Sequence, residues 1–158
     1  MLELSEKIKE HFRNPQNVGE IENPEGTGPI LNPVCGDKTV LYLRLKEGVV
    51  EDAKFLSFGC AVTIASASVL TEKIIGKEIS KFFLGTDEEV VQRLISLIES
   101  ELGEIPPVKL HCPPATVQVF LEAITGYLEK EGKTELSSRA KSLIPKISEY
   151  YKRGEEKE

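Results

Sequence analysis

The chain predicts an α+β domain, a small three-stranded antiparallel sheet packed against five to six helices. Three observations carry this expectation. β-prone residues concentrate between positions 28 and 58, and helix-spaced apolar residues dominate from 61 onward. Clusters of Gly, Pro and Asn mark the joints between them.

Leu4, Ile8 and Phe12 have helical spacing over residues 4–13, and Ser5 is placed to cap that helix. Residues 14–28 are rich in Asn, Pro and Gly and read as loop, with a short strand near Gly28–Leu31. Thr39–Lys46 is a β-prone, partly alternating strand, Glu47-Gly48 turns the chain, and Val49–Phe58 returns antiparallel. Val62, Ala65, Val69, Ile74 and Ile75 predict a mostly buried helix ending at Gly76, and residues 78–84 a short one. Asp87–Leu102 is amphipathic through Val90, Val91, Leu94, Leu97 and Ile98. The Pro-rich stretch Ile105-Pro106-Pro107-Val108 separates it from a helix over 113–130. A last helical pattern, 134–152, carries Leu136, Ala140, Leu143, Ile147 and Tyr151 on one side, and Pro145 should break or kink it. The charged tail from Lys152 to Glu158 should fray. The expected organisation is a main domain over residues 1–133 and a helical extension over 134–158, whose apolar stripe covers either the core or a second subunit.

A chain of 158 residues suits one domain. At this size about 70% of the unfolded surface is buried, so a metal site would serve chemistry rather than rescue folding. A net charge of -6 argues against nucleic acid or an anionic membrane as the main partner. No apolar run approaches the roughly 20 residues that span a bilayer. The polar start, Met1-Leu2-Glu3-Leu4-Ser5, shows no signal peptide, so the expected compartment is the cytoplasm.

Cys35, Cys60 and Cys112 are odd in number and cannot all pair within the chain. Each stands at a junction between elements. Cys35-Gly36-Asp37 precedes a strand, and residues two apart in extended chain share a face, so a thiolate and a carboxylate can address one point. Cys60 opens the helix that begins near Ala61. Cys112 precedes Pro113-Pro114, and proline is favoured in a first helical turn, which makes Cys112 the expected N-cap. Helix N-termini favour thiolate, the form that binds metal or attacks sulfur. His111 adjoins Cys112 and is a further candidate ligand, whereas His11 has no thiol near it and reads as structural. The set Cys35, Asp37, Cys60, His111 and Cys112 exceeds four terminal positions by one, and an oxygen ligand suits a sulfur-loving centre poorly. A site of this kind should release its metal readily. The competing readings are a zinc protein with Cys₃His or Cys₂AspHis ligation and a thiol enzyme with a His111/Cys112 dyad.

Several blocks, in order, resemble the IscU/NifU-type iron–sulfur cluster assembly scaffolds. They are His11-Phe12-Arg13-Asn14-Pro15-Gln16-Asn17-Val18-Gly19, Cys35-Gly36-Asp37, Glu51 to Phe55 running on to Phe58-Gly59-Cys60, Ile64-Ala65-Ser66-Ala67-Ser68, and Ile105-Pro106-Pro107-Val108-Lys109-Leu110-His111-Cys112. The resemblance implies an IscU/SufE-like fold and a scaffold and carrier rather than an enzyme. It implies a [2Fe-2S] cluster built on the three cysteines from iron and desulfurase-derived sulfur, with Asp37 or His111 as a further ligand and Asp37 as the residue that keeps the cluster labile. Zinc can replace the cluster, and Cys112 is the candidate persulfide acceptor. The implied partners are a cysteine desulfurase, a frataxin-like iron donor, an Hsp70-type chaperone with its J-protein co-chaperone, ferredoxin and other apo-protein acceptors, and a possible second copy of the chain. The chaperone would bind Ile105, Pro106, Pro107, Val108 and Lys109. Where the family continues with Ser and apolar residues after His111-Cys112, this chain has Pro113-Pro114-Ala115-Thr116.

Overall fold

A computed structural model describes residues 3–31 and 38–156. The first helix, α1 (Glu6–Arg13), starts where the Ser5 hydroxyl accepts the Ile8 N–H at 3.1 Å. The same hydroxyl donates to the Leu102 carbonyl, so the cap also ties α1 to a distant helix end.

Strands β1 (Gly26–Leu31), β2 (Lys38–Lys46) and β3 (Val49–Ser57) form an antiparallel sheet in that order. Leu41, Leu43 and Leu45 of β2 alternate inward. On β3 the inward residues are Val50, Ala53 and Phe55, a step of three and then two. The irregularity in register between Arg44 and Leu45 accounts for the extra residue. Glu47 (φ 51°) and Gly48 (φ 80°) both take positive φ in the hairpin turn, which matches the twist of the strands they join.

Helix α2 (Ala61–Ile74) is buried along most of its length, as its unbroken apolar and small-residue composition requires. A short 3₁₀ helix (Ile79–Phe83) follows. Helix α3 (Asp87–Leu102) opens with a capping box between Thr86 and Glu89. A 3₁₀ turn (Pro107–Lys109) leads into α4 (Cys112–Lys130), which packs across β1. That approach is close: a Cβ on Gly28 would lie 2.6 Å from the Val119 carbonyl oxygen.

The last helix, α5 (Thr134–Glu156), continues through Pro145, so the proline does not break it. Pro145 removes one backbone donor, at a cost of about 3 kcal/mol in a free helix. Leu143 and Ile147, fully buried on either side of it, anchor the helix against α4. With Ala140 they join the single core shared by the sheet and the other helices, so the stripe covers this chain's own core.

Candidate metal centre

Cys60 is the residue before α2, with extended backbone (φ -76°, ψ 174°). Cys112 is the first residue of α4, and His111 takes the N-cap position expected for Cys112. The two prolines explain the shift. The first three helical residues have no intrahelical acceptor for their N–H groups, so Pro113 and Pro114 cost nothing at the second and third positions. The first N–H that the helix uses is Ala115, which bonds the His111 carbonyl at 3.0 Å.

The two helix starts bring Cys60 Sγ and Cys112 Sγ to 3.9 Å. Two thiolates on one tetrahedral metal with bonds near 2.3 Å stand about 3.8 Å apart. His111 Nε2 lies 3.6 Å from Cys112 Sγ, and a sulfur–nitrogen edge of the same tetrahedron is about 3.6 Å. Cys112 is fully buried and His111 nearly so, while Cys60 is half-buried. The Cys112 thiol, the candidate persulfide acceptor, is therefore closed to solvent.

The Cys60 thiol is pulled down to about 5. The hydrogen bond with Cys112 is the main cause; burial opposes it, and the Thr63 hydroxyl, the Thr63 backbone amide and the Lys109 charge assist. Cys60 is thus a thiolate at neutral pH. Thr63 Oγ1 stands 3.4 Å from Cys60 Sγ and 3.5 Å from Cys112 Sγ, a neighbour that sequence reasoning passed over. The available signal was its place three residues after a helix-opening cysteine, on the same face.

Cys35 and Asp37 lie outside the described residues. Lys38, which follows them in the chain, accepts the Phe58 N–H at 2.9 Å. The Thr39 and Ser57 hydroxyls meet at 3.0 Å, and Ser57 Oγ accepts from the Gly59 N–H. The start of β2 is thereby fastened to the β3–α2 junction that carries Cys60. Among the described residues no three His, Cys, Asp or Glu side chains form a group that could hold a metal ion. His11 packs as a structural residue, its Nδ1 2.8 Å from Ser68 Oγ. In the segment Ile105–Lys109, Ile105 is buried, whereas Val108, within the 3₁₀ turn, is exposed. Among the described residues no helix is long and apolar enough to cross a membrane.

A three-stranded sheet backed by helices, with two thiols brought together from two helix starts, defines a small α+β protein. Residues 3–134 match the family described as NifU-like N terminal domain, and the chain belongs to that family. It is 39% identical over 131 residues to the iron-sulfur cluster assembly scaffold protein IscU 1 of Archaeoglobus fulgidus, covering 83% of this chain and 80% of that protein. The IscU scaffold protein of Aquifex aeolicus is 36% identical over 158 residues, spanning 99% of this chain and 91% of its own. The crystal structure of a nitrogen-fixing NifU-like protein (N-terminal) from Brucella abortus shares the fold, with a TM-score of 0.63 at 20% identity over 80% of this chain and 94% of that one.

Proposed function

We propose that this protein is a scaffold on which a [2Fe-2S] cluster is assembled and from which it passes to apo-proteins. The observation that carries the reading is the Cys60–Cys112 pair, 3.9 Å apart at two helix starts. The names of its relatives point the same way. In this reading Cys35, Cys60 and Cys112 hold the iron, and Asp37 or His111 completes the set. Iron and the cluster are cargo, and zinc can occupy the same ligands. The scaffold unit is residues 1–133, with 134–158 as an extension.

Sulfur arrives as a persulfide on a cysteine desulfurase. The Cys112 thiolate attacks the terminal sulfur, the sulfur–sulfur bond of the donor breaks, and the donor leaves as a thiolate. Because Cys112 is fully buried, this step needs the chain around it to open, and the half-buried Cys60 is the alternative acceptor. Reducing the transferred sulfur to sulfide takes electrons from a carrier such as ferredoxin, and a frataxin-like donor supplies iron. An Hsp70-type chaperone with its J-protein then engages Ile105–Lys109 and promotes release. The chain acts as carrier, not catalyst, and works in the cytoplasm.

The test is anaerobic reconstitution of Cys35→Ser, Cys60→Ser and Cys112→Ser with iron and sulfide. Each variant should lose most of its iron and visible absorption, and wild-type content in any one removes that cysteine from the ligand set. Mass spectrometry after incubation with a desulfurase and cysteine should find the added sulfur on Cys112; sulfur found only on Cys35 or Cys60 rejects that assignment.

A further inference from the structure

We propose that Thr63 is a positioning residue of the sulfur site. Its hydroxyl spaces Cys60 and Cys112 for one metal ion and donates to the Cys112 sulfur once metal is bound. The inference rests on the reading of both cysteines as ligands. Thr63 is the third residue of α2, one turn along from Cys60, and only 5% exposed. Its Oγ1 is 3.4 Å from one sulfur and 3.5 Å from the other, and the sulfurs are 3.9 Å apart. The three atoms make a nearly equilateral triangle, and its sulfur–sulfur side already has the length that a tetrahedral metal requires.

A hydroxyl carries one donor and two lone pairs. In the empty site it donates to the Cys112 sulfur, and it can keep doing so in the loaded one, where both sulfurs only accept. A buried acceptor without a donor is costly. A β-branched side chain in a helix has few rotamers, so this hydroxyl is held toward the sulfurs at little further entropy cost. Donors to ligating sulfurs raise metal affinity and cluster potential.

The experiment uses the full chain. Zn²⁺ affinity is measured by competition with a chromophoric chelator, and Co²⁺ loading gives the sulfur-to-metal charge-transfer band. Thr63→Val keeps the shape and removes the hydroxyl, Thr63→Ser keeps the hydroxyl, and Thr63→Ala is a second hydroxyl-free form should Val disturb folding. Thermal unfolding of each metal-free form checks the fold. We expect the hydroxyl-free variants to bind Zn²⁺ about 10-fold or more weakly, to shift the Co²⁺ band, and to lower the potential of a reconstituted cluster. Thr63→Ser should stay close to wild type in all three. Wild-type affinity and an unchanged band in the folded hydroxyl-free variants overturn the proposal. So does an equal loss in Thr63→Ser, which would mean packing and not the hydroxyl. Cys60→Ser separates the two levels: undiminished Zn²⁺ binding there overturns the ligand reading itself, and this inference with it.

Discussion

Two serines two residues apart on α2 show how much a single hydroxyl is worth. Ser68 is fully buried, accepts the Gln16 N–H at 2.8 Å and meets His11 Nδ1 at 2.8 Å. It fastens both α1 and the loop behind it to α2. Ser66 is also fully buried, but among the described residues its hydroxyl has no hydrogen-bond partner. Ser68→Ala should cost about 1–3 kcal/mol, because it strands a backbone donor and an imidazole. Ser66→Ala should be neutral or stabilising, because it removes a desolvated group. Urea denaturation of both variants checks this, and a loss in Ser66→Ala as large as in Ser68→Ala rejects it. In the proposed ligand set, Asp37 would supply oxygen where a permanent centre has sulfur. If Asp37 keeps the cluster labile, Asp37→Ala should hold its cluster longer and pass it more slowly to an apo-ferredoxin. Following the visible bands decides, and faster bleaching than in wild type makes Asp37 an ordinary ligand.

The element that carries Cys112 is placed by its contact with β1. A methyl group on Gly28 would meet the Val119 oxygen at 2.6 Å and the Ala123 nitrogen at 2.8 Å, both backbone atoms of α4 that cannot turn aside. Gly28→Ala should push α4 off the sheet, lower stability by about 1–3 kcal/mol and weaken metal binding at the helix start. A Gly28→Ala variant with wild-type unfolding and Zn²⁺ affinity would show that the two elements are not rigidly coupled. Helix α5 is clasped differently. Asp87, at the start of α3, pairs with Lys146 at 2.5 Å and with Arg139 at 3.3 Å. Arg139 also donates to the carbonyls of Phe83 and Gly85. The Lys146 hydrogen bond chiefly, against some desolvation and with help from Arg139, holds the Asp87 carboxyl below the usual carboxylate range. A depressed carboxyl contributes stability above its unfolded value, near pH 4, and loses it as pH falls through the lower folded value. The stability difference between wild type and Asp87→Asn should therefore be present at neutral pH and vanish below about pH 4. It should also shrink with added salt, because the pair is exposed to solvent. A difference independent of pH assigns the clasp to packing.

At the scale of the whole molecule, α5 is part of the core. Leu143 and Ile147 are fully buried, and burying two such side chains is worth about 3–6 kcal/mol. That is a large share of the roughly 5–15 kcal/mol by which domains are stable. A chain ended after Lys133 should lose several kcal/mol in urea and bind an apolar dye through the bared face of α4. Unfolding at the wild-type midpoint would show that residues 1–133 stand alone. The extension is shared along nearly its whole length with the Aquifex aeolicus relative.

Local chemistry made much of this legible in advance. The strands, the hairpin turn and the bounds of α3 follow from alternation, spacing and caps, all properties of neighbouring residues. The thiols at element junctions were visible for the same reason, since Gly59 before Cys60 and Pro113-Pro114 after Cys112 are local signals. What the chain does over long separations was not. Cys60 and Cys112 are 52 residues apart, and only the packing of α2 against α4 sets their sulfurs 3.9 Å from each other. The same packing buries Cys112 and turns Thr63 from one more helical residue into the neighbour of both sulfurs. Pro145 is the converse case. Its local preference to end a helix is real, but it is overridden because Leu143 and Ile147 gain more by staying in the core than one missing backbone hydrogen bond costs.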